Sequence, residues 1–222
     1  TPVRLAGAYL QLAQITAEQG DLKVAADNIK EALERLPKNT INHLLALEVA
    51  FRIAFQTRKW DNVSAIINEA QEHPDLKTSR NLTAKWRYFE ACLLFRVGEF
   101  REAYSALNDT TPLLADKFGI NIAVRMLDIM IMFEMNNMDL LESKILNMRQ
   151  FVKRTQKDIA QQRAAVLVRL LLGWYRNNFD FEETVASHQI DFKNFDPERS
   201  GTGWGTSTYE LIPLDAWIQE KG

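Results

Sequence analysis

Residues 6–39 read AGAYLQLAQITAEQGDLKVAADNIKEALERLPKN, and this stretch decides the fold. Small and large apolar residues recur at helical spacing in its first half, and Gly20-Asp21 then interrupts the pattern. The second half resumes the same spacing through Ala25 and Ile29 and closes at Pro37, which cannot continue a helix. The stretch therefore predicts two helices joined by a tight turn.

This pattern recurs along the chain. The predicted turns lie at Gly20, Arg58, Gly98, Asn136 and Phe179. Successive turns are separated by 38, 40, 38 and 43 residues. The first helix of each pair is expected near 2–19, 40–57, 79–97, 120–136 and 158–177, and the second helix follows each turn. Asp21 and Thr40 have the side chains of helix N-caps. No strand-like alternation competes with the helical period over this span.

The spacing of Tyr9, Leu12, Ala13, Gly20 and the residues after the turn resembles the tetratricopeptide repeat superfamily. The resemblance covers residues 2–188 and is strongest in the first pair, whereas the later spacing exceeds the family period of about 34 residues. It implies an all-α, right-handed α-solenoid of about five helix–turn–helix units. We assign residues 1–190 to this repeat domain and residues 191–222 to an irregular C-terminal tail.

The tail differs in composition from the rest of the chain. Residues 196–209, DPERSGTGWGTSTY, contain three of the nine glycines and do not fit a regular helix. Residues 211–218, LIPLDAWI, are apolar enough to pack. We expect the tail to dock on the helices of the fourth and fifth pairs and to cover the end of the repeat array. The tail residues expected to pack there are Trp204, Tyr209, Leu211, Ile212 and Trp217. A tail lying in the groove instead would mimic a ligand.

Composition limits function only broadly. The chain is 46% hydrophobic and 25% charged, with a formal net charge of −2, which is ordinary for a globular protein and predicts no nucleic-acid partner. No apolar run approaches the roughly 18 residues that span a bilayer, so no transmembrane segment is expected. The single cysteine slightly favours the cytoplasm. The first residue is Thr1 rather than Met, which indicates a processed chain or a fragment.

The residues that usually carry chemistry form no recognisable motif. His43, His73 and His188 are far apart and lack metal-binding spacing. Cys92 lies among apolar neighbours, which is typical of a buried thiol. Residues 201–205, GTGWG, lack the strand, helix and lysine of a phosphate-binding loop. We therefore predict no catalytic residue, no cofactor and no metal.

In tetratricopeptide-like stacks, the first helix of each pair lines a concave groove that commonly binds peptides or helices. Register along these helices predicts inward positions at Gln14, Glu48, Arg52, Lys85, Tyr88, Arg96, Met126, Met130, Glu134 and Arg169. Arginine and tyrosine are favoured in recognition hot spots, so the partner is expected to be a segment with acidic and apolar features. The six methionines, all between 126 and 148, have a second interpretation as core-filling residues.

These observations predict a non-enzymatic protein–protein interaction scaffold, and they are compatible with homo-oligomers. The alternative is a small-molecule or glycan-binding protein with an aromatic pocket, formed from Trp86, Tyr88, Trp174, Tyr175 and Trp204. A closed aromatic pocket beside the tail would favour the alternative, and an open groove would favour the scaffold. An enzyme would need perturbed titratable groups clustered in a cleft, and the sequence identifies no such cluster.

Overall fold

The computed structural model describes residues 2–114, 120–155, 159–187 and 209–221. Every regular element in these ranges is a helix, and no strand occurs among them, which confirms the all-α class for the described chain. The chain divides into two compact units, one over Thr1–Leu113 and one formed by the described residues from Leu114 onward. The predicted domain boundary at residue 190 lies outside the described residues.

The first unit consists of helices that pack on their neighbours in sequence. The helices are α1 (Pro2–Glu18), α2 (Leu22–Arg35), α3 (Ile41–Gln56), α4 (Trp60–Gln71), α5 (Pro74–Thr78), α6 (Arg80–Arg96) and α7 (Phe100–Asn108), and a short α8 (Thr111–Leu114) follows. Three of the predicted pairs are therefore present, as α1 with α2, α3 with α4, and α6 with α7.

Each of these pairs turns through a residue with a positive φ angle. Gly20 has φ 84° and Gly98 has φ 86°, which glycine adopts readily because it has no Cβ. Arg58 has φ 55°, a left-handed conformation that costs an ordinary residue about 1–2 kcal/mol. All three lie at the turn positions that the repeat spacing predicts.

Small side chains let α1 pack closely on α2. Ala13 of α1 and both Ala25 and Ala32 of α2 are fully buried. They belong to one hydrophobic cluster that also contains Ala46 and Ile53 of α3. Alanine loses no side-chain entropy on burial, so these contacts stabilise the helices without a side-chain ordering cost.

Side-chain caps start the helices where the sequence predicts. The Asp21 carboxylate accepts a hydrogen bond from the Val24 N–H at 3.1 Å. The Thr40 hydroxyl oxygen accepts one from the His43 N–H at 3.3 Å. Each cap gives a hydrogen-bond acceptor to an N–H of the first turn, a contribution of about 1 kcal/mol.

The short helix α5 is absent from the sequence prediction, which ends the second pair at His73-Pro74. Pro74 instead begins α5, where a missing N–H costs nothing. Nδ1 of His73 accepts a hydrogen bond from the Asp75 N–H at 3.2 Å and caps this helix. The connection between the second and third pairs is therefore a helical turn rather than an open loop.

The second unit contains α9 (Ile120–Glu134), α10 (Met138–Thr155), α11 (Ile159–Arg176), α12 (Phe181–Ser187) and α13 (Leu214–Lys221). Helices α9 to α12 again pack consecutively. Asn136, with φ 55°, and Phe179, with φ 63°, lie at the two remaining predicted turns. Met126, Met130, Met132 and Met148 are buried, so most of the methionine cluster fills the core of this unit.

The prediction that the whole tail is irregular is wrong for residues 214–221, which form α13. Leu214, Trp217 and Ile218 are buried and share one face of this helix. Helix α13 packs on α12. Residues 191–208, including Trp204 and the GTGWG stretch, lie outside the described residues.

None of the helices in the described ranges is both long and apolar enough to cross a membrane.

Candidate functional site

Three of the predicted groove residues come together between α3 and α6. Oε1 of Glu48 accepts a hydrogen bond at 3.0 Å from Nη2 of Arg52, one turn further along α3. Oε2 of the same carboxylate accepts one at 2.5 Å from Nζ of Lys85 on α6. One carboxylate thus links the first helices of the second and third pairs. We call Glu48, Arg52 and Lys85 the charged cluster.

Each side chain of the charged cluster keeps between 11% and 17% of its surface exposed, so the cluster is accessible but largely enclosed. Adjacent buried rings limit its movement. The rings of Phe51 and Phe89 stack with their centroids 4.5 Å apart, and Trp86 packs edge-on against both. The Arg52 guanidinium lies 6.0 Å from the Phe89 ring centre. Paired charges against packed rings form a preorganised surface.

Burial corrects the prediction for three other groove residues. Tyr88 is 2% exposed, and Met126 and Met130 are each 1% exposed. A side chain without exposed surface cannot contact a docked segment. Register assigned a single inward face to every first helix, whereas α6 and α9 carry buried residues around most of their circumference.

The other predicted groove residues divide between the units. In the first unit, Gln14 is exposed on α1 and Arg96 is partly buried near the end of α6. In the second unit, Arg169 is exposed on α11 and Glu134 lies at the end of α9. The candidate site is therefore confined to the first unit, around the charged cluster.

The Glu134 carboxylate binds two side chains of the chain's own tail. Its Oε1 accepts a hydrogen bond at 2.8 Å from Nε1 of Trp217, and its Oε2 accepts one at 2.8 Å from Nζ of Lys221. The Trp217 ring packs edge-on against Phe133 at 5.4 Å and Trp174 at 5.6 Å. Helix α13 is thereby anchored to α9 and α11.

The aromatic residues of the alternative pocket are mostly core residues. Trp86, Tyr88 and Trp174 are buried, and Tyr175 is partly buried. The hydrogen bond that the Tyr175 hydroxyl donates to the Glu142 carboxylate is the main cause of the raised pKa of Tyr175. Trp204 lies outside the described residues. The described aromatics therefore do not converge on one open pocket.

Cys92 has the properties of an unreactive thiol. It is fully buried, and burial raises its pKa to about 12, against the smaller opposing effects of a hydrogen bond with Tyr88 and the charge of Arg96. The thiol therefore stays protonated near neutral pH, and the thiolate needed for nucleophilic attack is not formed.

Two histidines form a buried pair that the sequence did not reveal. The rings of His43 and His73 lie parallel within 12°, with centroids 6.4 Å apart, and each residue is 3% exposed. Nε2 of His73 lies 3.1 Å from the Thr40 carbonyl oxygen. Since Nδ1 of His73 accepts from the Asp75 N–H, Nε2 donates to the Thr40 carbonyl oxygen. His188 lies outside the described residues.

Burial keeps His43 neutral. Desolvation lowers its pKa below the ordinary value of 6.5, and the charges of His73 and Lys38 act in the same direction. Glu69 opposes this shift, with a carboxylate oxygen 3.6 Å from Nε2 of His43. The pair thus joins the start of α3 to α4 and α5, and protonation of His43 opposes its burial in this contact.

The second unit contains a set of partly buried charged side chains on α9 and α10. Asp128 accepts a hydrogen bond from Lys144, and the Arg125 guanidinium lies 4.6 Å from the Phe151 ring centre. Burial raises the pKa of Asp128 and lowers that of Arg125. Within the described structure, Oδ1 of Asp128 and Nε of Arg125 are buried without a hydrogen-bond partner. Nothing in its geometry identifies a ligand.

One cavity of the first unit, between α4, α5 and α6, has a volume of about 310 Å³. Its walls are formed by Gln71, Leu76, Lys77, Thr83, Trp86 and Arg87. The Thr83 hydroxyl donates to the Leu76 carbonyl oxygen, and Arg87 pairs with Glu90 at 2.7 Å. This volume is at the lower end of the roughly 300–1,000 Å³ of small-molecule sites.

The described ranges contain no group of three or more His, Cys, Asp or Glu residues placed to hold a metal ion. Comparison of the chain with protein-family models, with curated proteins and with solved structures found no match. The candidate site therefore depends on its own geometry.

Proposed function

We propose that this protein is a non-enzymatic interaction scaffold of tetratricopeptide-like architecture, which binds an extended peptide or protein segment along the first helices of consecutive pairs. The observation that carries the proposal is the charged cluster. In it, the Glu48 carboxylate accepts hydrogen bonds from Arg52 on its own helix, α3, and from Lys85 on α6. It is a polar, partly exposed surface supported by rigid aromatic packing.

The chemistry of the charged cluster favours a segment with carboxylates and apolar side chains. The Arg52 side chain keeps 11% of its surface exposed, and its guanidinium has the charge and the planar fork of donors that bind carboxylates. Gln14, on the adjacent helix α1, adds an exposed amide. Because the cluster is already ordered, docking costs little side-chain entropy.

The experiment is selection of peptides from a displayed random library on the wild-type chain, followed by fluorescence-anisotropy titration of the enriched peptides. The test variant is Arg52→Gln, which removes the charge but keeps a donor for Glu48. The matched control is Arg149→Gln, at an exposed arginine of α10 in the second unit. We expect Arg52→Gln to weaken binding by about tenfold, as loss of a charged hydrogen bond does, and the control to have no effect.

Circular dichroism must first show that both variants fold. Failure to enrich any peptide, or equal binding by Arg52→Gln and the wild type, would contradict the proposed site.

The cavity bounded by α4, α5 and α6 favours a second candidate function, a small-molecule binding protein. Lys77 is an exposed wall residue, so Lys77→Ala should fold normally. A compound that raises the melting temperature of the wild type and of Arg52→Gln, but not of Lys77→Ala, would support this function. A compound screen without any such stabilisation would count against it.

A further inference from the structure

Helix α1 has a second apolar face in addition to the one that packs on α2. Leu5, Ala8, Leu12 and Ile15 are spaced by three, four and three residues, and all are exposed. The three large side chains retain 48%, 46% and 50% of their surface. This spacing forms the continuous stripe along which two helices pack against each other. We call these four residues the outer stripe.

The neighbouring pair indicates what the outer stripe is built to do. Counting from the turns at Gly20 and Arg58, the residues of α3 equivalent to Ala8, Leu12 and Ile15 are Ala46, Ala50 and Ile53. All three are buried, in the same hydrophobic cluster as the core of α1 and α2. In the second pair, this side of the first helix is thus a helix-packing face. In the first pair the same side is exposed.

The charges beside the outer stripe identify an occupant. Arg4, Gln11 and Glu18 follow one another at seven-residue intervals along one flank of the stripe, and all three are exposed. In an antiparallel pair related by a twofold axis, the same flank of each helix meets its copy. Pairing centred near residue 10 sets Leu5 opposite Ile15 and Ala8 opposite Leu12. Arg4 then lies within about 3 Å, along the axis, of Glu18 on the second copy.

We propose that the outer stripe binds the outer stripe of a second copy of this chain, giving an antiparallel α1–α1 dimer with an Arg4–Glu18 ion pair at each end. The pattern is self-complementary, as a twofold interface requires. One helix face per copy is small beside the roughly 1,600 Å² of a standard interface, so the dimer is weak and reversible.

The dimer does not use the proposed peptide site. Gln14 lies two residues from Leu12, which places it about 200° away around the helix. Dimerisation and peptide binding can therefore be tested separately.

The first experiment is sedimentation equilibrium of the full chain over a wide concentration series. We expect a reversible monomer–dimer equilibrium for the wild type. Leu12→Glu should weaken it by more than about tenfold, because each copy loses a buried leucine and gains a buried charge. Leu140→Glu is the matched control, since Leu140 of α10 is 43% exposed, close to the 46% of Leu12, and lies outside the interface. It should leave the dissociation constant unchanged.

The second experiment is a charge exchange. Arg4→Glu and Glu18→Arg should each weaken the dimer by about threefold or more, since each places like charges opposite one another at both ends. The double variant should restore wild-type affinity. Both substitutions suit the helix dipole, with an acid in the first turn and a base in the last, so loss of the dimer cannot come from loss of the helix.

A wild-type chain that is monomeric at every concentration would overturn the proposal and leave the outer stripe to a different partner. A double variant as weak as the single ones, or a Leu140→Glu effect as large as that of Leu12→Glu, would also overturn it.

Discussion

Replacement of Trp217 by alanine tests whether the tail stabilises the second unit. Trp217 is 2% exposed. Its ring packs edge-on against Phe133 and Trp174, and its indole N–H donates to the Glu134 carboxylate at 2.8 Å. One substitution therefore removes two aromatic contacts and one hydrogen bond to a charged group.

The contacts of Trp217 set the expected magnitude. Truncation of a buried tryptophan to alanine costs about 3–5 kcal/mol. Each aromatic pair contributes about 0.5–1.5 kcal/mol beyond the area that it buries. Because these contributions overlap, we expect a loss of about 4 kcal/mol for Trp217→Ala. A typical domain has a stability of about 5–15 kcal/mol, so this loss would be a large fraction of the total.

A graded series separates the contacts. Trp217→Phe keeps a ring but loses the N–H donor to Glu134, so it should cost about 1.5–3 kcal/mol. Lys221→Ala removes only a surface ion pair with Glu134 and should cost less than about 1 kcal/mol.

The assay is native-state hydrogen exchange of the amides of α9 and α11, which reports the opening free energy of the elements that contact Trp217. A loss of 4 kcal/mol corresponds to exchange that is about a thousandfold faster. Exchange accelerated by less than about tenfold in Trp217→Ala would refute the reasoning, because the tail would then contribute little to the unit. A series in which Lys221→Ala costs more than Trp217→Phe would refute the assigned order of the contacts.

Three further predictions test single positions. Gly98→Ala should destabilise the chain by about 1–2 kcal/mol in urea unfolding because Gly98 has φ 86°, whereas Gly7→Ala, in open space within α1, should stabilise it by about 0.5–1 kcal/mol; equal effects would contradict the left-handed turn. His43 has a lowered pKa in the folded chain, so the unfolded chain binds its proton first and stability should fall as the pH drops below about 6.5. His43→Leu should lose less stability than the wild type between neutral pH and pH 5. A wild-type urea midpoint that is the same at both pH values would contradict this effect. Cys92 should react with a thiol reagent only after unfolding, because burial raises its pKa to about 12, and rapid modification of the folded chain would show that the thiol is accessible.

The turns were predictable from the sequence because they depend on local backbone conformation and on a regular spacing. Gly20 and Gly98 are favoured by residue type alone. Arg58 and Phe179 are not, since side chains disfavour positive φ, and only the spacing of the apolar pattern located them. Helix α5 was missed because a proline such as Pro74 is compatible both with the end of one helix and with the first position of the next.

The candidate site was predictable only where a helix keeps a polar stripe. Glu48, Arg52 and Lys85 are charged, so a partly exposed position was the expected one. Tyr88 and Met126 are compatible with either side of a helix, and local register cannot say how many neighbours a helix has. A helix that is apolar around most of its circumference, such as α9, is better interpreted as buried from all directions. The pairing of His43 with His73 depends on α5 and had no signal in the sequence.

The two units use the carboxylates of their first helices differently, and this difference favours the first unit as the binding surface. In the second unit, the carboxylate of Glu134 is held by Trp217 and Lys221 of the tail helix, against a buried aromatic cluster. A partner would have to displace that helix, and the expected cost is the same 4 kcal/mol or so that Trp217→Ala should remove. In the first unit, Glu48 is held by Arg52 and Lys85, which remain partly exposed, so among the described helices a docking segment finds none that it must displace. Tail docking and peptide binding are therefore linked predictions: if hydrogen exchange shows that α13 is only weakly held, Glu134 becomes a competing site.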